Sequence, residues 1–560
     1  MNSLRGAAWV CAMSVVGLAG PAHAQLRIQS STALGGESDD DIRGLRLMRD
    51  GSIVIAGIFA RWTPPSVTPV TLGGASTSSA AMLLRIAADG RSILAAARVG
   101  DSVTDLALDR NDRVIVALGA QGVLVVDPTL TRVERTHAIG FVQRVDVGSD
   151  DRLVALVPSA PNAAENTPGA GRVFVFDPAG MQQTVFDGYR NTLDVALDSA
   201  SQTVVLIGWR QANAFDGMRT QPVQIAYLRG VALDGTVRWT NYDWSTDMAS
   251  PSFINTGTNN MADTRGYRVS VGHDQTLVAA FECAGGNHIF RWSPRAITER
   301  VAIVGGDRYH DFANTRSEHK TFFARFNPMS GAYVSGQQLV GRLASGAGNA
   351  VRVVEGAMET DERGRIYLAG AAAAGLPLTV NPEGTGDYTG GGYLIAMTQD
   401  FRTRLLVTRV DPGGISHAVD ARVIDGQVRV AFAGQTGPMS ANFFSQAPLQ
   451  ARAAGRDGFV VLLSESAVER TDASAGATDA SDDTSAVSDA ARTDSEITDG
   501  SATAEMSTAM PAGGCACTVA SPRAPRGRVC ASAWISVAAL TTLTTRRRRR
   551  QRSKVTRTGA

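Results

Sequence analysis

One short pattern returns seven times between residues 50 and 434, and it constrains the fold more than any other feature of the chain. A polar turn with Asp, Asn or Gly leads into four to six strand-forming residues, and most copies end on glycine. Asp50-Gly-Ser-Ile-Val-Ile-Ala-Gly57 and Arg363-Gly-Arg-Ile-Tyr-Leu-Ala-Gly370 show it plainly. The other copies occupy 111–119, 150–157, 201–208, 273–281 and 425–434. Self-similarity at this scale marks a repeat architecture, in which each unit buries its apolar face against the next.

Shorter alternating runs precede several copies, as in Val103-Thr-Asp-Leu-Ala-Leu108, Val142-Gln-Arg-Val-Asp-Val147, Leu193-Asp-Val-Ala-Leu197 and Tyr267-Arg-Val-Ser-Val271. Two such runs joined by a tight turn make a hairpin. A second hairpin follows most copies. Met82-Leu-Leu-Arg-Ile86 turns at Asp89-Gly90, Val173-Phe-Val-Phe176 at Asp177-Pro-Ala-Gly180, and Phe322-Phe-Ala-Arg-Phe326 at Asn327-Pro-Met-Ser-Gly331. Two hairpins per repeat give a four-stranded antiparallel sheet, and a series of such sheets is the propeller plan. Glycine, 58 of the 560 residues, supplies the turns that such a chain needs.

The expected fold is therefore all-β, one β-propeller over 25–470 built of four-stranded antiparallel blades. Copies lie 39 to 89 residues apart, so the shortest interval fits one blade and the longer ones carry inserted loops. Seven copies give seven blades. An eighth has candidate outer runs at His288-Ile-Phe-Arg-Trp292 and at 322–326. Leu26-Arg-Ile-Gln-Ser30 reads as an outer strand without a blade, and Phe459-Val-Val-Leu-Leu463 as a strand awaiting a partner. Pairing them closes the ring and removes two free sheet edges.

The two ends read as targeting segments. Arg5 supplies a positive start, residues 7–20 an apolar stretch too short to span a bilayer, and Ala22-His23-Ala24 an A-x-A site. Residues 1–24 are thus expected to be a signal peptide, cut between Ala24 and Gln25. Residues 471–514 hold nine acidic residues, one Arg and no aromatic ring. Such a Ser/Thr/Ala-rich acidic stretch cannot bury enough apolar surface to offset its ordering entropy, and reads as a disordered spacer. In 515–560, Cys515 and Cys517 follow Gly514, and residues 529–545 are uncharged and mostly apolar. Arg546, Arg547, Arg548, Arg549 and Arg550 come next. A helix over 529–545 would reach roughly 25 Å, the lower limit of a membrane span. The arginines would hold their end inside and leave everything before it outside. Formal charge is +1 for the whole chain, and the basic excess sits in the tail, so nucleic acid is not an expected partner.

This tail resembles the tripartite sorting signals of bacterial surface proteins, most closely the myxobacterial MYXO-CTERM type. Gly514, Cys515 and Cys517 match its motif, 529–545 its helix and Arg546–Arg550 its basic stop. The resemblance implies processing near Cys515 by an envelope protease, and retention at the surface through the helix or a lipid. Residues 523–528, with three arginines between motif and helix, depart from it. The body resembles the SBBP-type seven-bladed propeller repeats of bacterial secreted proteins. Ala33-Leu-Gly-Gly36, Glu37-Ser-Asp-Asp-Asp41 and Gly455-Arg-Asp-Gly458 follow that repeat closely, and the middle of the chain loosely.

Catalytic groups at convincing spacing are not found. There is no Gly-x-Ser-x-Gly elbow, no His-Glu-x-x-His and no phosphate loop. His310-Asp311 and Glu318-His319 are the nearest approach to an acid/base cluster, and His273 and His417 read as structural residues opening turns. Asp39-Asp40-Asp41 lacks the alternating oxygen spacing of a calcium loop. Cys283 is the one cysteine of the body, so no disulfide is expected there, and neither is a metal or a cofactor. Ala232-Leu-Asp-Gly-Thr-Val-Arg-Trp239 resembles the blade motif of quinone-cofactor propellers, but once rather than in every blade. Tyr242, Trp244 and Phe253, in the largest insertion, are the candidate ligand patch. The expectation is a surface-anchored propeller that binds polysaccharide or an envelope protein, or serves as a scaffold. The alternative is an extracellular propeller enzyme (glycosidase, lyase or quinoprotein) with its site in the central funnel.

Overall fold

The computed structural model describes residues 25–465 other than 160–170, 190, 216–219, 245–262, 285–288, 297–298, 305–318, 344, 346–347, 377–389, 410–412, 439–442 and 454. The signal segment, the spacer and the cysteine-containing tail lie outside the described residues. Within them the chain forms seven four-stranded antiparallel blades arranged in a ring.

Blade one is Asp41–Leu47, Ile53–Ile58, Ala81–Ile86 and Ile93–Gly100, from the inner strand outward, with the two-residue Val70–Thr71 added in parallel at its outer edge. Blade two is Asp105–Leu108, Val114–Ala117, Val123–Val126 and Val133–His137. Blade three is Arg144–Val147, Leu153–Val157, Arg172–Phe176 and Gln182–Asp187. Blade four is Thr192–Asp198, Thr203–Phe215, Thr220–Ala232 and Val237–Tyr242. Blade five is Thr264–Val271, Leu277–Ala284, His319–Phe326 and Tyr333–Leu339. Blade six is Val351–Thr360, Ile366–Ala372, Gly391–Met397 and Arg404–Arg409. Blade seven is Ile415–Ile424, Gln427–Gln435, Gly458–Glu465 and, outermost, the N-terminal Leu26–Leu34. That last strand runs antiparallel to Gly458–Glu465, with Leu26 opposite Glu465 and Leu34 opposite Gly458. Each inner strand touches the inner strands of both neighbouring blades.

All seven copies of the repeated pattern fall on the second strand of a blade. The reason is packing. A second strand lies between two strands of its own sheet and between two neighbouring blades, so both its faces are covered. Ile53–Ile58, Val114–Ala117 and Leu153–Val157 are buried almost throughout. Strands buried on both faces read as continuous apolar runs. Outer strands such as Gln182–Asp187 are largely exposed and carry a weaker signal. The core is divided among the spaces between blades. The aromatic cluster between blades four and five holds Trp239, Phe281, Phe322 and Phe326.

The blade count is seven, as the seven copies imply, and the two candidate runs of an eighth blade belong elsewhere. Ile289–Arg291 is a 3-10 turn that buries Ile289 and Phe290 in that aromatic cluster, not an outer strand. The run at 322–326 is the third strand of blade five. Apolar residues alone could not separate a buried turn from a buried strand.

The two ends of the ring are built differently. Connections from first to second strand and from third to fourth lie at one end, and none is longer than six residues. The turns Met48–Ser52, Asp109–Arg113 and Gly148–Arg152, closed by backbone hydrogen bonds, are typical. The strand ends that flank the long connections, including 59–80, 158–171, 243–263, 285–318, 373–390 and 436–457, lie at the other. The third strand of a blade runs from this loop end to the turn end. The described chain therefore finishes, at Glu465, on the turn end. Arg363 and Arg365 of blade six hold that carboxylate at 2.9 and 2.6 Å.

Candidate functional site

An inner strand has a partner on one side only. Its other edge faces the channel, and its free backbone N–H groups need acceptors. The sequence supplies them as carboxylates on the neighbouring blade. Val145 N–H donates to Asp105 Oδ2 at 3.0 Å, Leu197 N–H to Asp146 Oδ2 at 2.7 Å, and Val269 N–H to Asp194 Oδ2 at 3.1 Å. Leu47 N–H donates to Asp420 Oδ2 at 2.7 Å across the junction where the ring closes. Between blades five and six, Val353 N–H donates to Glu282 Oε1 at 3.0 Å and Ser270 Oγ to Glu359 at 3.1 Å.

The channel is thus lined with charge on two levels. Arg43, Asp105, Arg144, Asp194, Arg268 and His417 lie toward the loop end, and Arg46, Asp146, Glu359 and Asp420 toward the turn end. Burial would strip the Arg46 charge, but Asp420, Asp105, Glu359 and Asp146 surround it and hold it protonated. Burial also opposes the Asp420 charge. The hydrogen bond and charge of His273, at 3.0 Å, nonetheless hold its carboxyl down at about 2. Burial pushes Asp146 up to about 6 and Glu359 up to about 7.

His417 is pushed down to about 4 by burial and then by Arg43, so it is neutral near pH 7. Its Nδ1 lies 2.9 Å from Glu355 O and must donate there. That leaves Nε2 as an acceptor, 3.3 Å from Asp41 Oδ1. Such a contact is attractive only if Asp41 carries the proton, and burial pushes Asp41 up to about 6.

The space left in the channel is about 60 Å³. Ordinary small-molecule sites offer about 300–1,000 Å³. Carboxylates do converge there with two histidines, but most of them accept backbone N–H groups or bind arginine. A second cluster lies at the loop end between blades five and six. Glu282, 2% exposed, faces His319 Nδ1 at 3.2 Å and Arg352 Nε at 3.4 Å. A buried carboxylate beside a half-buried imidazole is part of what a general base needs, although Glu282 Oε2 makes no hydrogen bond to the ring. Among the described residues no group of three or more His, Cys, Asp or Glu side chains could hold a metal ion.

The residues singled out in the sequence are placed as follows. Tyr242 and Trp244 are 4% and 6% exposed. Tyr242 stacks edge-on against Trp244, Phe281 and Phe290 at about 5 Å. These two rings belong to the core between blades four and five, so the exposed patch is corrected for them, and Phe253 lies outside the described residues. The physical reason is the tight turn after Tyr242, where Tyr242 and Asp243 take positive φ and direct the rings inward. His319 is in the Glu282 pair, while His310, Asp311 and Glu318 lie outside the described residues. His417 is on an inner strand rather than at a turn, and His273 reaches from its turn into the channel. Trp239 packs in the core, its indole N–H donating to Pro328 O at 3.0 Å. Cys283 is free and buried. Ala24 and the residues 514–517 and 546–550 lie outside the described residues, and Gln25 is exposed. No helix among the described residues is long and apolar enough to cross a membrane.

Sequence reasoning missed the channel charges. The signal was present: Asp105, Arg144, Asp146, Asp194 and Arg268 are the charged residues of the alternating runs that precede the repeated pattern.

No family model matches the sequence, and neither does any curated protein. Among solved structures the chain is similar to Kuenenia stuttgartiensis hydrazine synthase, at 8% identity over 70% of this chain and 92% of that one, with a TM-score of 0.39. It is also similar to the WD40 β-propeller domain of Doa1, at 9% identity over 79% of this chain and 97% of that one, with a TM-score of 0.37. Likeness at this level says nothing of chemistry. The chain is a seven-bladed β-propeller on the strength of its own strand pairing.

Proposed function

We propose that this chain is an exported propeller held at the cell surface, where it works as a binding or scaffold module. The observation that carries the reading is the unequal build of the two ends of the ring. Long connections gather at one end, and the chain leaves at Glu465 on the other. Loops placed by a rigid scaffold are where binding is usually built. The small, charge-filled channel supports the same reading, because it has no room for a substrate of ordinary size. The signal segment, the acidic spacer and the tail with Gly514, Cys515, Cys517 and Arg546–Arg550 support export, processing and retention. The partner is a polysaccharide or an envelope protein.

Hydroxyl-radical footprinting of the full chain, with envelope polysaccharide purified from the cells that make it, tests the reading. Protection confined to the loop end is the expected result. Protection at the turn end, or none with polysaccharide and none with envelope protein, would contradict it. Cleavage of the polysaccharide would favour the second reading, an extracellular enzyme, for which the Glu282–His319 pair is the supporting observation.

A further inference from the structure

Arg144 has a buried Nε with no hydrogen-bond partner. The carboxylates nearest to it, Asp194 and Asp105, stand at 3.7 and 3.8 Å, beyond hydrogen-bond reach. Each of those carboxylates already accepts a backbone N–H, from Val269 and Val145. Arg268 stands on the far side of Asp194. Its hydrogen bonds go to the carbonyls of Gly356, Tyr267 and Val354, so it brings positive charge with only neutral groups in contact. Arg43 is shared with Asp41, and its side chain is 40% exposed. All three arginines line one cavity of about 60 Å³.

The wall of this cavity holds Arg43, Arg46, Arg144 and Arg268 against Asp105, Asp146, Asp194 and Glu359. Burial raises the pKa of Asp146, Asp194 and Glu359, to about 7 for Glu359. On the loop-end level Arg43, Arg144 and Arg268 face only Asp105 and Asp194 across the cavity, which leaves one positive charge in excess there. Burial first, and then the neighbouring Arg144, hold Arg268 down at about 9 against the opposite pull of Asp194, Asp105 and Glu355. A cavity of this kind favours an anion.

We propose that the loop-end half of the channel is an anion site that takes one carboxylate-sized group, held by Arg144 with Arg43 and Arg268. The guanidinium fork suits a carboxylate, which would accept from the unpaired Nε of Arg144. The cavity admits such a group but not a sugar ring, so a larger ligand would insert only an acidic tip. The carboxylate has two sources, a free small acid or the uronate of an acidic polysaccharide lying on the loop end. The site does not depend on where the protein is displayed, so its failure leaves the preceding reading standing.

The test is calorimetric titration of the full chain with acetate and with an oligogalacturonate. Ionic strength is fixed, and titrations are run at about pH 5.5 and about pH 7.5. Acetate is expected to bind, more tightly at the lower pH. Arg144→Gln should weaken it about tenfold or more while leaving the circular dichroism spectrum unchanged. Binding of the oligogalacturonate with the same Arg144 dependence assigns the polysaccharide source, and binding of acetate alone the free acid. No heat from either probe, or equal affinity in Arg144→Gln, overturns the site. If that variant does not fold, Arg43→Gln gives the same readout, and unchanged affinity there overturns it equally.

Discussion

Four aspartates, Asp105, Asp146, Asp194 and Asp420, bind one inner strand to the next through backbone N–H groups. Removing such an acceptor leaves a buried N–H unsatisfied, at a cost of about 1–3 kcal/mol. Asp146→Ala should lose that much stability in denaturant melts. Asp146→Asn, which keeps an acceptor, should lose less, and equal losses would show that the carbonyl-type oxygen is not what matters. Phe281, fully buried among Tyr242, Phe290 and Phe322, is a packing residue. Phe281→Ala should cost about 3–5 kcal/mol by the same melts. At this scale the sequence was legible only in part. The charged residues at alternate positions of 142–147 and 193–197 mark strands with one polar face, but that this face is a channel depends on which strand of the sheet is innermost. Tyr242 and Trp244 were misplaced for a related reason. A ring beside an insertion points outward or inward according to the turn that carries it, and turn handedness is poorly written in composition.

At the scale of elements, the second strand of each blade was the most legible, because two covered faces demand an unbroken apolar run. The fourth strands were the least, since exposed edges tolerate polar residues, as Gln182–Asp187 does. The closing pair was readable from its two ends, an alternating run at 26–30 and an apolar run at 459–463, each lacking a hairpin partner nearby. Leu26–Leu34 covers the edge of Gly458–Glu465 and buries Leu26, Ala33 and Leu34. Deleting residues 26–34 should lower the melting temperature and, by baring a strand edge, promote self-association that size-exclusion chromatography would detect. A deletion variant that melts like the parent and stays monomeric would show that ring closure contributes little.

At the scale of the whole molecule, buried acids set the pH of greatest stability. Asp40, Asp41, Asp146 and Asp457 sit at about 6 against an ordinary 3.8, and Glu359 at about 7 against 4.5, burial being the largest cause for each. Groups raised on folding bind protons more tightly in the folded chain, so stability grows as pH falls through the window between those values. His417, at about 4 against 6.5, opposes them, and Asp420, at about 2, matters only in stronger acid. His137, also lowered by burial, opposes them too, but Asp112, Asp194 and Asp361 are likewise raised by burial, and the raised acids outweigh the two histidines. Thermal melts in salt-matched buffers should show a higher melting temperature at about pH 5 than at about pH 7.5, with a fall below about pH 4. A steady fall from neutrality would contradict this assignment. The ring itself fixes only a fold, and its proposed place at the cell surface rests on the two ends of the chain. Intact mass spectrometry of the native protein from membrane and soluble fractions tests that claim most directly. The predicted result is a membrane-held species starting at Gln25 and lacking roughly the last 40 residues, with or without a lipid at Cys515. Full-length protein in the soluble fraction would contradict it.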